Sequence, residues 1–138
     1  MSVQLNEEAV ALLPFSATVD FATLSLQAQV ATTIYTVPAG KVCILSHLLL
    51  VYGSTAIATN TAKITAGQVG ALTDFLAENT LTNIISGKCG ILRPVPAVLP
   101  LASVPYTGGT VIQINVTALD ADGGTDWKVY TFGFLYDA

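Results

Sequence analysis

Histidine, cysteine and clustered aspartate are the side chains here that could move a proton, attack a carbon centre or hold a cation, and the sequence is sparing with them. Its single histidine, His47, sits in the run Val42-Cys43-Ile44-Leu45-Ser46-His47-Leu48-Leu49-Leu50-Val51-Tyr52. Nucleophilic catalysis needs a base beside its nucleophile and a third group to orient the base. If the run is a strand, Cys43 shares a face with His47 but stands roughly 13 Å away at about 3.3 Å per residue, and Ser46 points to the opposite face. Neither pair closes, so His47 reads as a strand histidine hydrogen-bonded in the core or at an interface. Cys43 and Cys89 lack CxxC spacing and read as small buried hydrophobes, the common fate of free cysteine, rather than as a disulfide or reactive thiols.

The segment Asp120-Ala121-Asp122-Gly123-Gly124-Thr125-Asp126 offers a second chemistry. Asp120, Asp122 and Asp126 supply hard oxygens on a glycine-rich loop that could wrap a cation such as calcium. The terminal glutamate of an EF-hand is missing, and Asp and Gly are also what a turn between two strands requires. The turn is the preferred reading, with a weak ion site as the lesser one. Asp74 and Glu78, four apart, could share a helical face as an acid-base pair, but an exposed acidic pair is the commoner arrangement. Asn115-Val116-Thr117 matches a glycosylation acceptor, yet Met1 to Val10 has no Lys or Arg and carries Glu7 and Glu8, unlike a secretory leader. The chain therefore reads as made and folded inside a cell. No GxGxxG, P-loop, zinc-ligand cluster or GxSxG elbow occurs. The expectation is a protein with no catalytic residue and no cofactor; an enzyme would need His47 or the Asp120 to Asp126 loop to line a solvent-filled cleft.

The elements that must position these residues are strands. Segments rich in Val, Ile, Thr, Tyr and Phe alternate with Gly, Pro, Asn and Asp. Val111 to Ala118 puts Ile112, Ile114, Val116 and Ala118 on one face and Gln113, Asn115 and Thr117 on the other, a half-buried antiparallel strand. Trp127 to Tyr136 puts Tyr130, Phe132, Phe134 and Tyr136 on one face and Trp127, Val129, Thr131 and Leu135 on the other, with Gly133 where a bulge or close approach is expected. Lys41 to Tyr52 is apolar on both faces, Cys43, Leu45, Leu49 and Val51 on one and Val42, Ile44, Leu48, Leu50 and Tyr52 on the other, and so is expected to be covered on both sides. Thr32 to Val37 precedes it across Pro38-Ala39-Gly40, a turn whose chemistry predicts a hairpin.

Shorter strands are predicted at Phe21 to Val30, Thr61 to Ala66, Leu81 to Ile85, Cys89 to Leu92 and Ala97 to Leu101. Gly67 to Asn79 is expected to form a connection with a turn of helix, from the spacing of Ala71, Phe75 and Leu76. Near the start, Asn6 could cap a short helix stopped by Pro14, or the segment could be an extended arm; residues 1–24 are read as a candidate arm. The sum is one all-β domain spanning residues 1–138, a jelly-roll-like antiparallel sandwich of about eight strands.

Of the 138 residues, 52% are hydrophobic and 10% charged, where soluble domains carry about 25% charged. No apolar run approaches the roughly 18 residues of a spanning helix, so no membrane partner is expected. Lys41, Lys63, Lys88, Arg93 and Lys128 are scattered in a chain of net charge −4, which argues against a nucleic-acid ligand. The apolar excess reads as surface buried between copies of the chain, since homo-oligomer interfaces are about 65% apolar and poor in charge. Leu45, His47, Leu49, Val51, Tyr130, Phe132 and Phe134 are the interface candidates.

Tyr35-Thr36-Val37-Pro38-Ala39-Gly40-Lys41 followed by its apolar strand resembles a hairpin of many tailed-bacteriophage virion proteins, in which YTVPAGK or a close variant precedes a strand. Gly108-Gly109-Thr110 leading into Val111-Ile112-Gln113-Ile114 is similar to a later element of the same proteins; together these cover roughly a fifth of the chain. The resemblance implies a β-sandwich component of a phage particle made in the bacterial host cytoplasm: a decoration protein, head fibre or tail-associated module, usually trimeric, with a major capsid protein or other virion protein as partner. The absence of a repetitive shaft favours a compact cap. A capsid-stabilising trimer is the leading expectation. A receptor- or carbohydrate-binding module at a tail or fibre tip, drawing on Trp127, Tyr106, Tyr52 and Asp126, is the alternative.

Overall fold

A computed structural model describes residues 13–16, 21–51, 53–54, 61–82, 84, 88–98, 104–120 and 123–138. Ten strands are seen among them: β1 (Leu13–Ser16), β2 (Ala22–Leu24), β3 (Ala31–Thr36), β4 (Lys41–Val51), β5 (Lys63–Gln68), β6 (Ala71–Thr80), β7 (Cys89–Leu92), β8 (Tyr106–Thr107), β9 (Val111–Ala118) and β10 (Trp127–Asp137). They form two antiparallel sheets. The larger runs β1-β10-β4-β7, with β2 also on β10 and β8 also on β4; the smaller runs β3-β9-β5-β6. The chain is the all-β sandwich that its alternating segments predict.

Period-two patterning places the core between the sheets. Leu24, Leu48, Leu50, Trp127 and Val129 of the large sheet meet Ile64, Ile112, Ile114, Val116 and Phe75 of the small one, all buried. Burying each such side chain is worth about 1.5–3 kcal/mol, which makes this layer the main source of stability. Tyr106 adds a polar clasp across it: its hydroxyl donates to Asp74 Oδ1 at 2.8 Å, while the Gln68 backbone N–H and side-chain amide donate to the same carboxylate at 3.1 and 2.7 Å. Burial, and then the Asp74 carboxylate, push the Tyr106 hydroxyl pKa far up, so it stays a donor.

Several expectations change. The Pro38-Ala39-Gly40 turn forms, with Lys41 N–H donating to the Pro38 carbonyl at 3.2 Å and Gly40 at φ 73°, but it does not make a hairpin. Here β3 pairs with β9 and β4 with β10, so the turn is a corner carrying the chain from one sheet to the other. Turn chemistry sets the reversal and is silent about which strand lies next door.

The stretch expected to hold a helical turn is β6, joined to β5 through Gly70 at φ 90°. Its register against β5 slips twice, which lets the adjacent residues Phe75 and Leu76 both turn inward and gives the sequence its helix-like spacing. The free edge of β6 is covered: Val95 N–H donates to Phe75 O, Ala77 N–H to Val95 O and Ala97 N–H to Thr73 O, at 2.7–3.0 Å. The described parts of Leu81 to Ile85 and of Ala97 to Leu101 are not strands, and Phe21 to Val30 shortens to β2 before a turn. The helix-or-arm question over residues 1–12 lies outside the described residues.

Candidate functional site

The outer face of the large sheet is where the interface candidates converge, and its layout follows from one inserted residue. In the pairing of β10 with β4, Phe132 lies opposite His47 and Gly133 opposite Leu45, leaving Ser46 unmatched. A single extra residue reverses the alternation beyond it. Cys43 and Leu45 face the core before the bulge, Leu48 and Leu50 after it, all buried; Ile44, His47, Leu49 and Val51 are half-buried on the other side. The expectation that Leu49 and Val51 share a face with Cys43 and Leu45 is therefore corrected. Leu45 belongs to the core, while His47, Leu49, Val51, Tyr130, Phe132 and Phe134 lie on the outer face.

Cross-strand pairing turns those positions into rows. His47 and Phe132 stack with ring centroids 4.7 Å apart and planes 8° off parallel. Leu49 lies opposite both Tyr130 and Ile91, and Ile44 opposite Phe134. Phe21 extends the Tyr130 row, its ring 5.7 Å from the tyrosine ring, and carries the Lys128 ammonium 4.9 Å from its centroid. Phe21, Ile91 and Phe134 are 43%, 57% and 37% exposed. Phe21, Ile44 and Ile91 were not among the interface candidates. Ser46, a polar residue inside an apolar run, is the sequence signal of the bulge that would have found Ile44.

The bulge also corrects the placing of Ser46 away from His47. Its Oγ lies 2.9 Å from His47 Nδ1 and donates to the Phe132 carbonyl at 3.2 Å. A hydroxyl has one proton to give, so Nδ1–H donates to Ser46 Oγ. That is the reverse of the polarity in which a histidine activates a serine, and the contact orients the ring. Cys43 is fully buried and its thiol is pushed up to about 12 by burial, so it is no nucleophile. Cys89, expected to be buried, is exposed on β7, and both cysteines are free.

The aspartate loop serves the fold. Asp120 is buried; its N–H donates to Leu26 O and its carbonyl accepts from Gly123 N–H, both at 3.0 Å, while Leu26 N–H donates to Gly124 O at 3.0 Å. Trp127 Nε1 donates to the Gly123 carbonyl. Asp126 Oδ1 accepts from Ser54 N–H at 3.1 Å, and the Ser54 hydrogen bonds lower its pKa. Asp122 lies outside the described residues. Among the described residues no three His, Cys, Asp or Glu side chains are grouped to hold a metal ion. The aromatic side chains considered for a sugar site are also placed otherwise: Trp127 and Tyr106 are buried and cannot stack on a ligand, and Tyr52 lies outside the described residues. Asp74 and Glu78 sit on a strand and serve different partners, Tyr106 with Gln68 and Lys63 with Thr117, which removes the acid-base pair.

Two phage capsid structures contain this architecture. One chain of the acid-stable capsid of Helicobacter pylori bacteriophage KHP30 superposes with TM-score 0.55 at 13% identity, covering 90% of this chain and 87% of that one. One chain of the capsid asymmetric unit of cyanophage Pam1 superposes with TM-score 0.55 at 18% identity, covering 92% and 84%. No protein-family model and no curated protein sequence matches. At these identities the likeness establishes a shared fold.

Proposed function

We propose that this chain is a structural subunit of a phage virion, a trimeric decoration protein that seats on the capsid surface and stabilises the assembled shell. The observation that carries the reading is the outer face of the large sheet, where aromatic and aliphatic rows cross β7, β4 and β10 and Phe21, Ile91 and Phe134 meet solvent in the single chain. Contiguous exposed apolar surface of this kind marks an interaction site. The shared fold with chains of two phage capsids supports a virion setting. Strand order supports a jelly roll: β1 with β2, and β7 with β8, count as interrupted edge strands, leaving four in each sheet, and every connection but β5–β6 crosses between the sheets.

In this role the protein needs no catalytic group, nucleic acid or membrane. It acts by contact area: an oligomer that binds the assembled shell and not its free subunits stabilises the shell by mass action. The partners are two further copies of the chain and a capsid protein, and the location is the virion. The test is sedimentation equilibrium of the purified protein followed by co-sedimentation with empty shells of the phage that encodes it. A trimer that pellets with shells and raises their melting temperature is expected. A stable monomer at micromolar concentration overturns the trimer, and binding to host cells or glycans in place of shells transfers the reading to a receptor-binding module.

A further inference from the structure

We infer that the free edge of β7 receives the N-terminal segment of a neighbouring copy, which adds a strand to the large sheet. The site is a groove of about 600 Å³ between β7 and the end of β6. Leu76, Leu81 and Ile84 form its buried apolar wall. The four residues of β7 pair with β4 on one side; among the described residues no strand pairs with β7 on the other, and all four of its residues line the groove. An exposed edge beside apolar pockets is the arrangement that binds an extended peptide by strand addition.

Charge identifies the occupant. Lys41 pairs with Asp137, Lys63 with Glu78, and Lys128 lies over Phe21. Lys88 and Arg93, which have no such partner among the described residues, immediately precede and follow β7 and both line the groove. The best-matched segment of the chain is Val3-Gln4-Leu5-Asn6-Glu7-Glu8. Val3 and Leu5 alternate with Gln4 and Asn6, a strand pattern with one apolar side. Four residues laid along the four of β7 bring Glu7 to the flanking cation in either direction, to Lys88 if antiparallel and to Arg93 if parallel.

Geometry selects a second copy over the same chain. The segment leads into β1, and β1 and β7 are opposite edges of one sheet with β10 and β4 between them. Exit and groove therefore point away from each other, as in a head-to-tail contact that closes into a ring. The six residues 7–12 between the docked strand and Leu13 reach about 20 Å when extended, so the neighbour's groove must lie within that distance of the start of β1.

The inference rests on the trimer proposed above, and its test is read on the purified full-length chain without capsids. Cys89 is exposed in the groove, and Cys43 is buried with its thiol pushed up to about 12, so one native thiol is available. Val3→Cys and Asn6→Cys variants are treated with a short bis-maleimide. Val3→Cys bridges to Cys89 if the added strand is parallel, Asn6→Cys if it is antiparallel, and Cys89→Ser abolishes either product. A link between chains in one variant is expected. Glu7→Lys should loosen self-association about two- to fivefold, with recovery on adding Lys88→Glu or Arg93→Glu according to the direction found. A link within one chain, or none in either variant, overturns the inference while leaving shell binding and trimer mass to be judged on their own measurements.

Discussion

The two sheets bury similar apolar faces against each other and present opposite characters to their surroundings. On the small sheet the outward side chains satisfy one another. Thr117 Oγ1 donates to Glu78 Oε2 at 2.8 Å, Lys63 Nζ reaches Glu78 Oε1 at 3.3 Å, and Gln113 Nε2 donates to Thr33 Oγ1 at 3.3 Å. On the large sheet the corresponding rows are His47 with Phe132, Leu49 with Tyr130 and Ile91, and Ile44 with Phe134. One face is finished within the single chain, and the other has apolar area still to bury. The outward rows of aromatic and aliphatic side chains therefore belong to one sheet, while the other exposed large hydrophobics, Val30, Val69, Val95, Val98 and Leu119, stand singly at turns and strand ends.

The largest break in that contrast should come from the bulge that sets it. Deleting Ser46 restores plain alternation and would drive His47 and Leu49 toward the core while turning Leu48 and Leu50 out on one side of the deletion. Loss of cooperative urea unfolding is expected. Ser46→Ala, which keeps the residue count, loses the Phe132 hydrogen bond and should cost about 1 kcal/mol. A deletion variant as stable as Ser46→Ala would show that the bulge does not fix the faces.

Next in size is a pair of adjacent leucines. Leu48 is fully buried and Leu49 half-buried on the outer face. Leu48→Ala should cost about 2–5 kcal/mol in urea denaturation, and Leu49→Ala below about 1 kcal/mol under conditions where the chain is monomeric. Equal costs would mean that the outer face is as much core as the inner. The comparison of faces sharpens further with one charge on each. Phe134→Arg should weaken self-association or shell binding about tenfold or more, since a charge at an interface centre is left desolvated, whereas Asn115→Arg on the small sheet should leave both unchanged. Loss of association from Asn115→Arg alone would exchange the roles of the two faces.

What was legible in the sequence follows the same division. Clean alternation in Val111 to Ala118 and Trp127 to Tyr136 gave strands with the faces the structure shows, because each residue there answers to one neighbour layer. Lys41 to Tyr52 gave a strand with its faces confused after Ser46, since period-two counting carries no memory of an inserted residue and an apolar run offers no polar face to correct it. Pro38-Ala39-Gly40 announced a reversal but not a change of sheet, which depends on pairing partners 75 to 96 residues away. Bulges hid β6 in a helical spacing. Of the interface candidates, all but Leu45 lie on one face, and the chemistry of the His47 and Asp120 regions resolved into hydrogen bonds that only the fold brings together.

The two cysteines test the inside of the large sheet against its edge. At pH 8 a maleimide should label Cys89 rapidly and Cys43 only as the chain unfolds. Burial raises the Cys43 thiol from 9.0 to about 12, so the folded state holds a proton that the unfolded state releases between those values. Stability should accordingly be unaffected by this group below pH 9 and decline as pH rises toward 12, with Cys43→Ala removing that part of the alkaline loss. Equal labelling rates in the native protein would show the core open at β4.

The smallest effect belongs to the finished polar face. The Thr117 hydroxyl, and after it the Lys63 ammonium, hold the Glu78 carboxyl below its ordinary 4.5. A lowered carboxylate adds stability that is present above the unfolded value and is lost as pH falls through the folded one. The difference between wild type and Glu78→Gln should therefore favour wild type at pH 7 and vanish in acid. Glu78 is exposed, so the interaction is screened by water and salt, and the shift in urea midpoint at pH 7 should be smaller than that of Ser46→Ala and shrink as salt is added. A midpoint change rivalling Leu48→Ala would require the small sheet's outer face to bear on a partner as well, and would dissolve the contrast between the two sides of the sandwich.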